Sequence, residues 1–192
     1  MMAQMEKEDK YALAPKKFNM WIFIFTSFMF FAALTSGFIV YTGGRAHAIN
    51  IVLPKVFMLS TAVIVLSSVT MFIASRAAKR LAVDRQRLFL WLTMALGILF
   101  FGLQLYGWSV LIKMGVYFIN PNASQSFIYV FTGMHLIHIF AGLLLLANTL
   151  WGSYRNRPQA KDLFGMEMSG IFWHFVDIIW IYLYVFLLLN QY

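Results

Sequence analysis

The sequence lacks cysteine, contains only four prolines and carries few charges along its 192 residues. Without cysteine the chain cannot build disulfide scaffolds, Cys-based zinc sites, iron–sulfur clusters or a thiol nucleophile. Charged residues are 11% and hydrophobic residues 61% of the chain, whereas a soluble domain has about 25% charged and about 45–50% apolar residues. This composition excludes a soluble globule, and its many aromatic residues exclude intrinsic disorder. An integral membrane protein remains.

Asp, Glu, Lys and Arg are absent from four long intervals, and only Asp177 interrupts a fifth. Each interval has the roughly 20 apolar residues that a helix needs to cross the hydrocarbon core. None shows the alternating pattern of a barrel strand. We therefore predict an all-α integral membrane protein, a bundle of five transmembrane helices. The predicted helices are roughly 19–41, 56–76, 88–112, 126–151 and 169–190.

The predicted organisation is a short tail over residues 1–17 followed by a membrane domain over 18–192. The tail mixes both charge signs and contains Pro15, so we expect it to be partly disordered. The turn signal Asn120–Asn122 precedes the fourth helix. The first span is too long for a signal-peptide core and has no small-residue cleavage site, so we expect it to be retained.

The basic residues indicate the orientation of the bundle. Twelve of the 15 Lys and Arg residues lie in the N-terminal tail, the second connection and the fourth connection, which share one side of a five-helix bundle. The other side has three. The positive-inside rule then predicts a cytoplasmic N-terminus and a periplasmic C-terminus. The net charge of +8 reflects this topology and contact with anionic lipids, not nucleic-acid binding.

Ionisable residues at membrane depth are costly and usually face protein or a cavity. The fourth helix carries His135 and His138, in a stripe with Thr132, and the fifth carries Glu167, His174 and Asp177. Helical spacing places each set on one face of its helix. These stripes predict a contact between the two helices sealed by hydrogen bonds. We expect each acid to be paired, since each has a His neighbour on its own face. Asp177 lies near mid-membrane, and we expect an imidazole or hydroxyl on a neighbouring helix to partner it, or its carboxyl group to be protonated.

Spacing alone leaves two other interpretations open for these residues. His135 or His138, together with His174, could supply axial ligands to a b-type haem between helices. Glu167, His174 and Asp177 could form a proton path.

Small residues on the first three helices predict close packing. They are Ser27, Ala32, Ala33, Ser36 and Gly37, then Ser60, Ser67, Ser68 and Thr70, then Gly97, Gly102 and Gly107.

Two motifs resemble a known family. The run Trp173–Trp180 (WHFVDIIW) resembles the last helix of subunit III of haem–copper terminal oxidases. The run Phe131–His138 (FTGMHLIH), with Gly142, resembles the preceding helix of that family. Glu167 stands seven residues before the motif histidine, as in the family. The first three helices fit in the same order, so the resemblance covers nearly all of residues 18–190.

The resemblance implies the short five-helix bacterial form of subunit III, a non-catalytic accessory subunit of cytochrome c oxidase in the bacterial cytoplasmic (inner) membrane. It places the haems and copper in partner subunits and no cofactor or metal in this chain. The partners that it implies are oxidase subunits I and II and phospholipids, and the complex could belong to a larger respiratory supercomplex. Nucleic acid is not an implied partner. The residues that it assigns to bundle organisation and to lipid or subunit contacts are His135, His138, Glu167, Trp173, His174, Asp177 and Trp180.

Two positions depart from the family pattern. The family typically has a carboxylate four residues before Phe31, where this chain has Ser27, and often an acid in helix 3 where this chain has Gly107. The resemblance therefore implies a weaker or purely structural contribution to proton handling. The alternatives are a similar subunit of a quinol oxidase or nitric oxide reductase, and an unrelated transporter or bis-His haem protein.

Overall fold

The computed structural model describes residues 2–43, 49, 51–119, 123–155 and 159–190. Over this part of the chain the protein is all-helical, and each helix contains a stretch long and apolar enough to cross a membrane. The prediction of five long apolar helices is confirmed. The Asn120–Asn122 turn signal and residues 191–192 lie outside the described residues. The helices are α1 (Met2–Thr42), α2 (Lys55–Lys79), α3 (Val83–Lys113), α4 (Ala123–Tyr154) and α5 (Gln159–Leu189).

The helices extend beyond the predicted boundaries, most of all at α1 and α5. Helix α1 begins at Met2, so a continuous helix that includes Pro15 replaces the partly disordered tail predicted for residues 1–17. Helix α5 begins at Gln159, ten residues before the predicted start at 169. The predicted bounds followed the intervals with few or no charges, but a helix can continue past the hydrocarbon into water, where charged side chains are tolerated. The tail is also rich in Ala, Met, Glu and Lys, which favour helix.

Helix α5 is the centre of the bundle. It contacts α1, α2 and α4, while α3 packs between α2 and α4. Among the described residues, α1 contacts only α4 and α5, so it lies at the edge of the bundle. The largest fully buried side chains include Trp173 and Trp180 of α5 and Phe100 of α3. Large apolar side chains such as Phe25 and Ile137 are exposed on the outer faces, as expected for surfaces that contact lipid.

The tight turn between α2 and α3 contains a residue in the left-handed region. Leu81 has a φ of +60°. Its N–H donates to the Ala78 carbonyl and the next N–H, of Ala82, donates to the Ala77 carbonyl, both at 3.0 Å. This is the Schellman pattern, in which the left-handed position is usually glycine. At the end of α3 the same pattern has Gly115, with a φ of +82°.

Because a left-handed backbone costs a non-glycine residue about 1–2 kcal/mol, Leu81→Gly should keep the fold and raise the free energy of unfolding by up to about 1 kcal/mol, part of the gain being offset by the freer unfolded chain. Thermal unfolding of the purified protein, followed by helical circular dichroism, would measure the change. The opposite substitution, Gly115→Leu, should lower stability at the equivalent position. A lower unfolding midpoint for Leu81→Gly would show that the Leu81 side chain contributes more than its backbone costs.

Candidate functional site

Two buried tryptophans attach α5 to α2. The Trp173 indole Nε1 donates a hydrogen bond to Ser67 Oγ at 3.1 Å, and the Trp180 Nε1 donates to Thr61 Oγ1 at 2.9 Å. Both indoles are fully buried. Seven residues separate the two tryptophans, almost two helical turns, so both lie on the α5 face that packs against α2. We call these residues, together with Ser68 and His174, the α2–α5 seam.

His174 adds a third hydrogen bond to this seam, between its Nδ1 and Ser68 Oγ at 2.6 Å. Asp177 is only 3% exposed. Neither of its carboxylate oxygens has a hydrogen-bond partner among the described residues, although the Ser68 hydroxyl is an electrostatic neighbour. Among the described residues Asp177 thus does not pair with the histidine on its own face, and the His174 Nδ1 bonds across to α2. The expectation that a hydroxyl of a neighbouring helix partners Asp177, or that it is protonated, stays a prediction.

Glu167 is much more exposed than Asp177, since 48% of its side-chain surface is exposed. Lys17 Nζ of α1 donates to its Oε1 at 2.5 Å, so this ion pair joins α1 to α5. The predicted pairing of Glu167 with a histidine is also wrong, because α1 continues as a helix past the membrane boundary and carries Lys17 to this position. Exposed ion pairs contribute roughly 0–1 kcal/mol, so this contact orients α1 more than it stabilises it.

The polar stripe of α4 faces α3 and α1. Thr132 Oγ1 accepts a hydrogen bond from Trp108 Nε1 of α3 at 2.9 Å. His138 lies with Nδ1 2.8 Å from the Met134 carbonyl and Nε2 3.3 Å from Ser27 Oγ of α1. The predicted hydrogen bonds between the α4 and α5 stripes are therefore wrong, because the α4 stripe contacts α3 and α1 instead. Helix α4 is hydrogen-bonded to α5 elsewhere, where the Thr149 and Ser169 hydroxyls lie 2.7 Å apart.

His135 is completely buried within aromatic rings. Its ring centroid lies 4.9 Å from that of Trp180, 5.8 Å from Phe100 and 6.5 Å from Phe31. Among the described residues neither of its nitrogens has a hydrogen-bond partner. The structure thus brings His135 and Trp180 into one aromatic cluster in the core. This enclosure gives His135 a packing role rather than the predicted hydrogen-bonding role.

The surroundings of the histidines do not support the bis-His haem interpretation. That interpretation needs an open imidazole on α4 that faces His174. His135 is enclosed by aromatic rings, and both His138 nitrogens lie close to polar atoms. Within the part of the chain that the structure describes, no group of three or more His, Cys, Asp or Glu side chains is arranged to hold a metal ion.

The predicted close packing is confirmed at Gly97 but is absent at Gly37. A Cβ added at Gly97 would lie 2.6 Å from Trp173 Cη2, so the indole packs directly on the α3 backbone. At Gly107, where the family often has an acid, a Cβ would lie 3.3 Å from the Phe57 ring. Among the described residues, no atom lies within 4 Å of a Cβ added at Gly37 of α1 or at Gly102 of α3.

Four residues of these contacts were not predicted from the sequence. Thr61 was not considered, and Ser67 and Ser68 were interpreted as small packing residues, although their hydroxyls accept or share the hydrogen bonds of the seam. Lys17 was placed in the tail and not beside Glu167. One signal was present in the sequence. In a five-helix bundle the start of the first helix and the start of the fifth lie at the same end, so opposite charges there are candidates for pairing.

The family model described as cytochrome c oxidase subunit III matches residues 10–191. The chain belongs to the cytochrome c oxidase subunit III family. This family model includes the whole α2–α5 seam, with its Trp173–Trp180 motif. The seam is therefore part of the subunit III fold as this chain builds it, in which the motif tryptophans and His174 serve as helix-to-helix hydrogen-bonding groups.

Several relatives are named for two kinds of oxidase. Cytochrome c oxidase subunit 3 of Thermostichus vulcanus is 35% identical over 130 residues, which are 67% of this chain and 63% of that protein. The Synechocystis protein of the same name is 38% identical over 49% of this chain and 39% of its own length. Cytochrome bo(3) ubiquinol oxidase subunit 3 of Buchnera aphidicola is 28% identical over 95% of this chain and 90% of its own length. The chain thus spans less than two thirds of the two cytochrome c oxidase relatives.

The contact of Gly97 with Trp173 can be tested by adding one methyl group. Gly97→Ala should lower the free energy of unfolding by about 1–3 kcal/mol, because overpacking forces the indole away from Ser67. Gly102→Ala is the matched control on the same helix, where space is open and alanine should be neutral or slightly stabilising. Thermal unfolding and tryptophan fluorescence would report both effects. Equal behaviour of the two variants would contradict the close approach of α3 and α5.

Proposed function

We propose that this chain is the non-catalytic accessory subunit III of a respiratory haem–copper oxygen reductase in the bacterial cytoplasmic membrane. The observation that carries the proposal is the family match over residues 10–191. The site geometry supports it, because the polar groups of the motif helix contact other helices of the same chain. In this role the chain supports assembly and the working life of the enzyme.

The proposed partners are the catalytic subunit I and subunit II, which would hold the haems and copper. This oxidase could in turn be part of a larger respiratory supercomplex. The assembly would transfer electrons to oxygen, form water and translocate protons. The chain itself would contribute a scaffold and bound phospholipid. Ser27 and Gly107 supply no carboxylate at the two family positions. Ser27 Oγ lies 3.3 Å from His138 Nε2, and a Cβ added at Gly107 would lie 3.3 Å from the Phe57 ring. This supports a structural role at these positions in place of proton transfer.

A quinol oxidase is the second candidate for the complex. The relative from Buchnera is named as a ubiquinol oxidase subunit and matches 95% of this chain, whereas the Thermostichus cytochrome c oxidase relative matches 67%. Identity favours the cytochrome c enzyme, at 35% against 28%. The electron donor separates the two candidates: the complex purified through this chain would be supplied in turn with reduced cytochrome c and with ubiquinol.

We also propose that the N-terminus and residues 1–17 are cytoplasmic and the C-terminus is periplasmic. Side-chain contacts support the placement of the basic segments at one end of the bundle. Lys17 of α1 reaches Glu167 near the start of α5, and Gln86 near the start of α3 donates to Asp162 of α5 at 3.2 Å. The strong excess of basic residues at that end is what the positive-inside rule associates with the cytoplasm.

The orientation can be tested with single cysteines, since the chain has none of its own. Lys79→Cys, Lys113→Cys and Tyr192→Cys would be made separately and treated in intact spheroplasts with a membrane-impermeant thiol reagent. Only the second and third variants should react. Labelling of all three after membrane lysis is the control for accessibility. Reaction of Lys79→Cys in intact cells would overturn the proposed topology.

The accessory role predicts how the α2–α5 seam affects the enzyme. His174→Ala should weaken retention of the chain in the oxidase, or shorten the enzyme's active life, because it leaves the Ser68 hydroxyl of the seam without its partner. Removal of one partner of a buried polar contact costs about 1–3 kcal/mol but affects no redox centre. The initial oxygen-reduction rate per intact catalytic subunit and the haem spectrum should stay unchanged. Subunit retention in detergent and the early and late rates of oxygen consumption would be measured.

Ile178→Ala is a matched control in the same helix, since that side chain is 64% exposed on the outer face. It should leave both retention and enzyme lifetime unchanged. Immediate and complete loss of activity in His174→Ala, with the chain still bound, would show that the seam takes part in the reaction. The absence of any haem-containing partner from the purified complex would contradict the proposed function itself.

A further inference from the structure

Three arginines line one groove at the tight turn between α2 and α3. The groove has a volume of about 560 Å³ and is lined by Arg76, Arg80 and Arg85. Its apolar wall includes Phe72 of α2 and Leu88 of α3. The groove lies where α2 ends and α3 begins, which is the end of both candidate membrane spans. It therefore combines an apolar surface at membrane depth with a strongly basic rim.

None of these three guanidinium groups has a carboxylate partner among the residues that the structure describes. Arg76 lies over the Phe72 ring at 4.3 Å, which fixes its position by a cation–π contact. Arg87, only two residues after Arg85, behaves differently. Its guanidinium donates to the Ser153 hydroxyl at 3.2 Å and to the Ser153 carbonyl, and it lies over the Tyr154 ring. Arg87 therefore serves the bundle, whereas the three groove arginines have no such polar partners in the part of the chain that the structure describes.

Three like charges around a partly apolar groove repel one another, so an anion that binds between them is strongly favoured. Arginine matches phosphate especially well, because its planar guanidinium can donate two parallel hydrogen bonds. A phosphate at the end of a membrane span belongs to the headgroup layer. Basic pockets between helices on the cytoplasmic side are a recognised type of site for anionic lipid headgroups.

We propose that the groove between α2 and α3 binds one anionic phospholipid, with its phosphate held by Arg76, Arg80 and Arg85 and an acyl chain along the Phe72 and Leu88 wall. The proposal gives a specific location to the lipid binding in the proposed function, and it does not depend on the identity of the oxidase. The bound lipid would neutralise the basic rim and cover the gap between the end of α2 and the start of α3.

A neighbouring cavity of about 900 Å³ is less suited to this ligand. It lies between α1, α2 and α5, shares Arg76 with the groove, and includes Lys79, Lys17 and Glu167. There the Glu167 carboxylate already neutralises Lys17, and it would repel a phosphate. The arginine groove contains no acidic lining residue. Charge complementarity therefore favours the α2–α3 groove over its larger neighbour.

The test uses the complex purified in mild detergent through the full chain. Native mass spectrometry would follow its titration with dioleoylphosphatidylglycerol and, separately, dioleoylphosphatidylcholine. One phosphatidylglycerol should bind about tenfold or more tightly than phosphatidylcholine. The triple variant Arg76→Gln, Arg80→Gln and Arg85→Gln should lose this preference. Millimolar inorganic phosphate should not displace the lipid, because it lacks the acyl chain that fills the apolar wall.

The matched control removes the same charge from the same end of the bundle, by Lys16→Gln, Lys79→Gln and Arg155→Gln, and should keep the preference. Replacement of the three groove arginines by lysine retains the charge and should retain the preference with lower affinity, which guards against misfolding of the glutamine variant. An unchanged preference in the glutamine variant, or equal loss in the control, would overturn the proposal. So would a groove that binds no lipid because an acidic partner surface covers it. Arginine-dependent lipid binding without any oxidase partner would contradict the proposed function alone.

Discussion

A polar group at hydrocarbon depth has no water to bond to and must find its partner within the protein. The two buried indole N–H groups of α5 meet this requirement through hydroxyls of α2, from Trp173 to Ser67 and from Trp180 to Thr61. These bonds fix both the rotation and the height of α5 against α2. The remaining helices pack around this pair, with Gly97 of α3 directly against the Trp173 ring.

This constraint also explains why the motif helix is suited to a structural role. His174 bonds to Ser68, and Tyr182 shares a 2.6 Å contact with Thr35 of α1, so α5 is hydrogen-bonded to the helices on either side. The groups that stay unbonded among the described residues, namely His135, Asp177 and the Gln104 side-chain oxygen, are buried within the bundle. A helix whose polar groups face other helices is suited to stabilising a complex. It is poorly suited to presenting reactive groups to a substrate.

Hydropathy and charge spacing were enough to predict the number of helices, because each span must be about 20 residues long and nearly free of charge. The same signal could not locate the helix ends, since α1 and α5 continue past the membrane into charged sequence. The stripe of Thr132, His135 and His138 was interpreted as one hydrogen-bonding face, but Thr132 bonds to α3, His138 lies near Ser27 of α1, and His135 packs among aromatic rings. Its partners depend on how each helix is rotated, which spacing within one helix does not report. Gly97 and Gly37 look alike in sequence, yet only Gly97 meets a bulky ring.

A double-mutant cycle between Thr61 and Trp180 tests the central claim most directly. The variants are Thr61→Val, Trp180→Phe and their combination, and the free energy of unfolding of each is measured in the same detergent. If the indole–hydroxyl bond joins α5 to α2, the two substitutions should be coupled by about 0.6–2 kcal/mol. Additive effects with no coupling would contradict the account, because the two residues would then contribute to stability independently of their hydrogen bond.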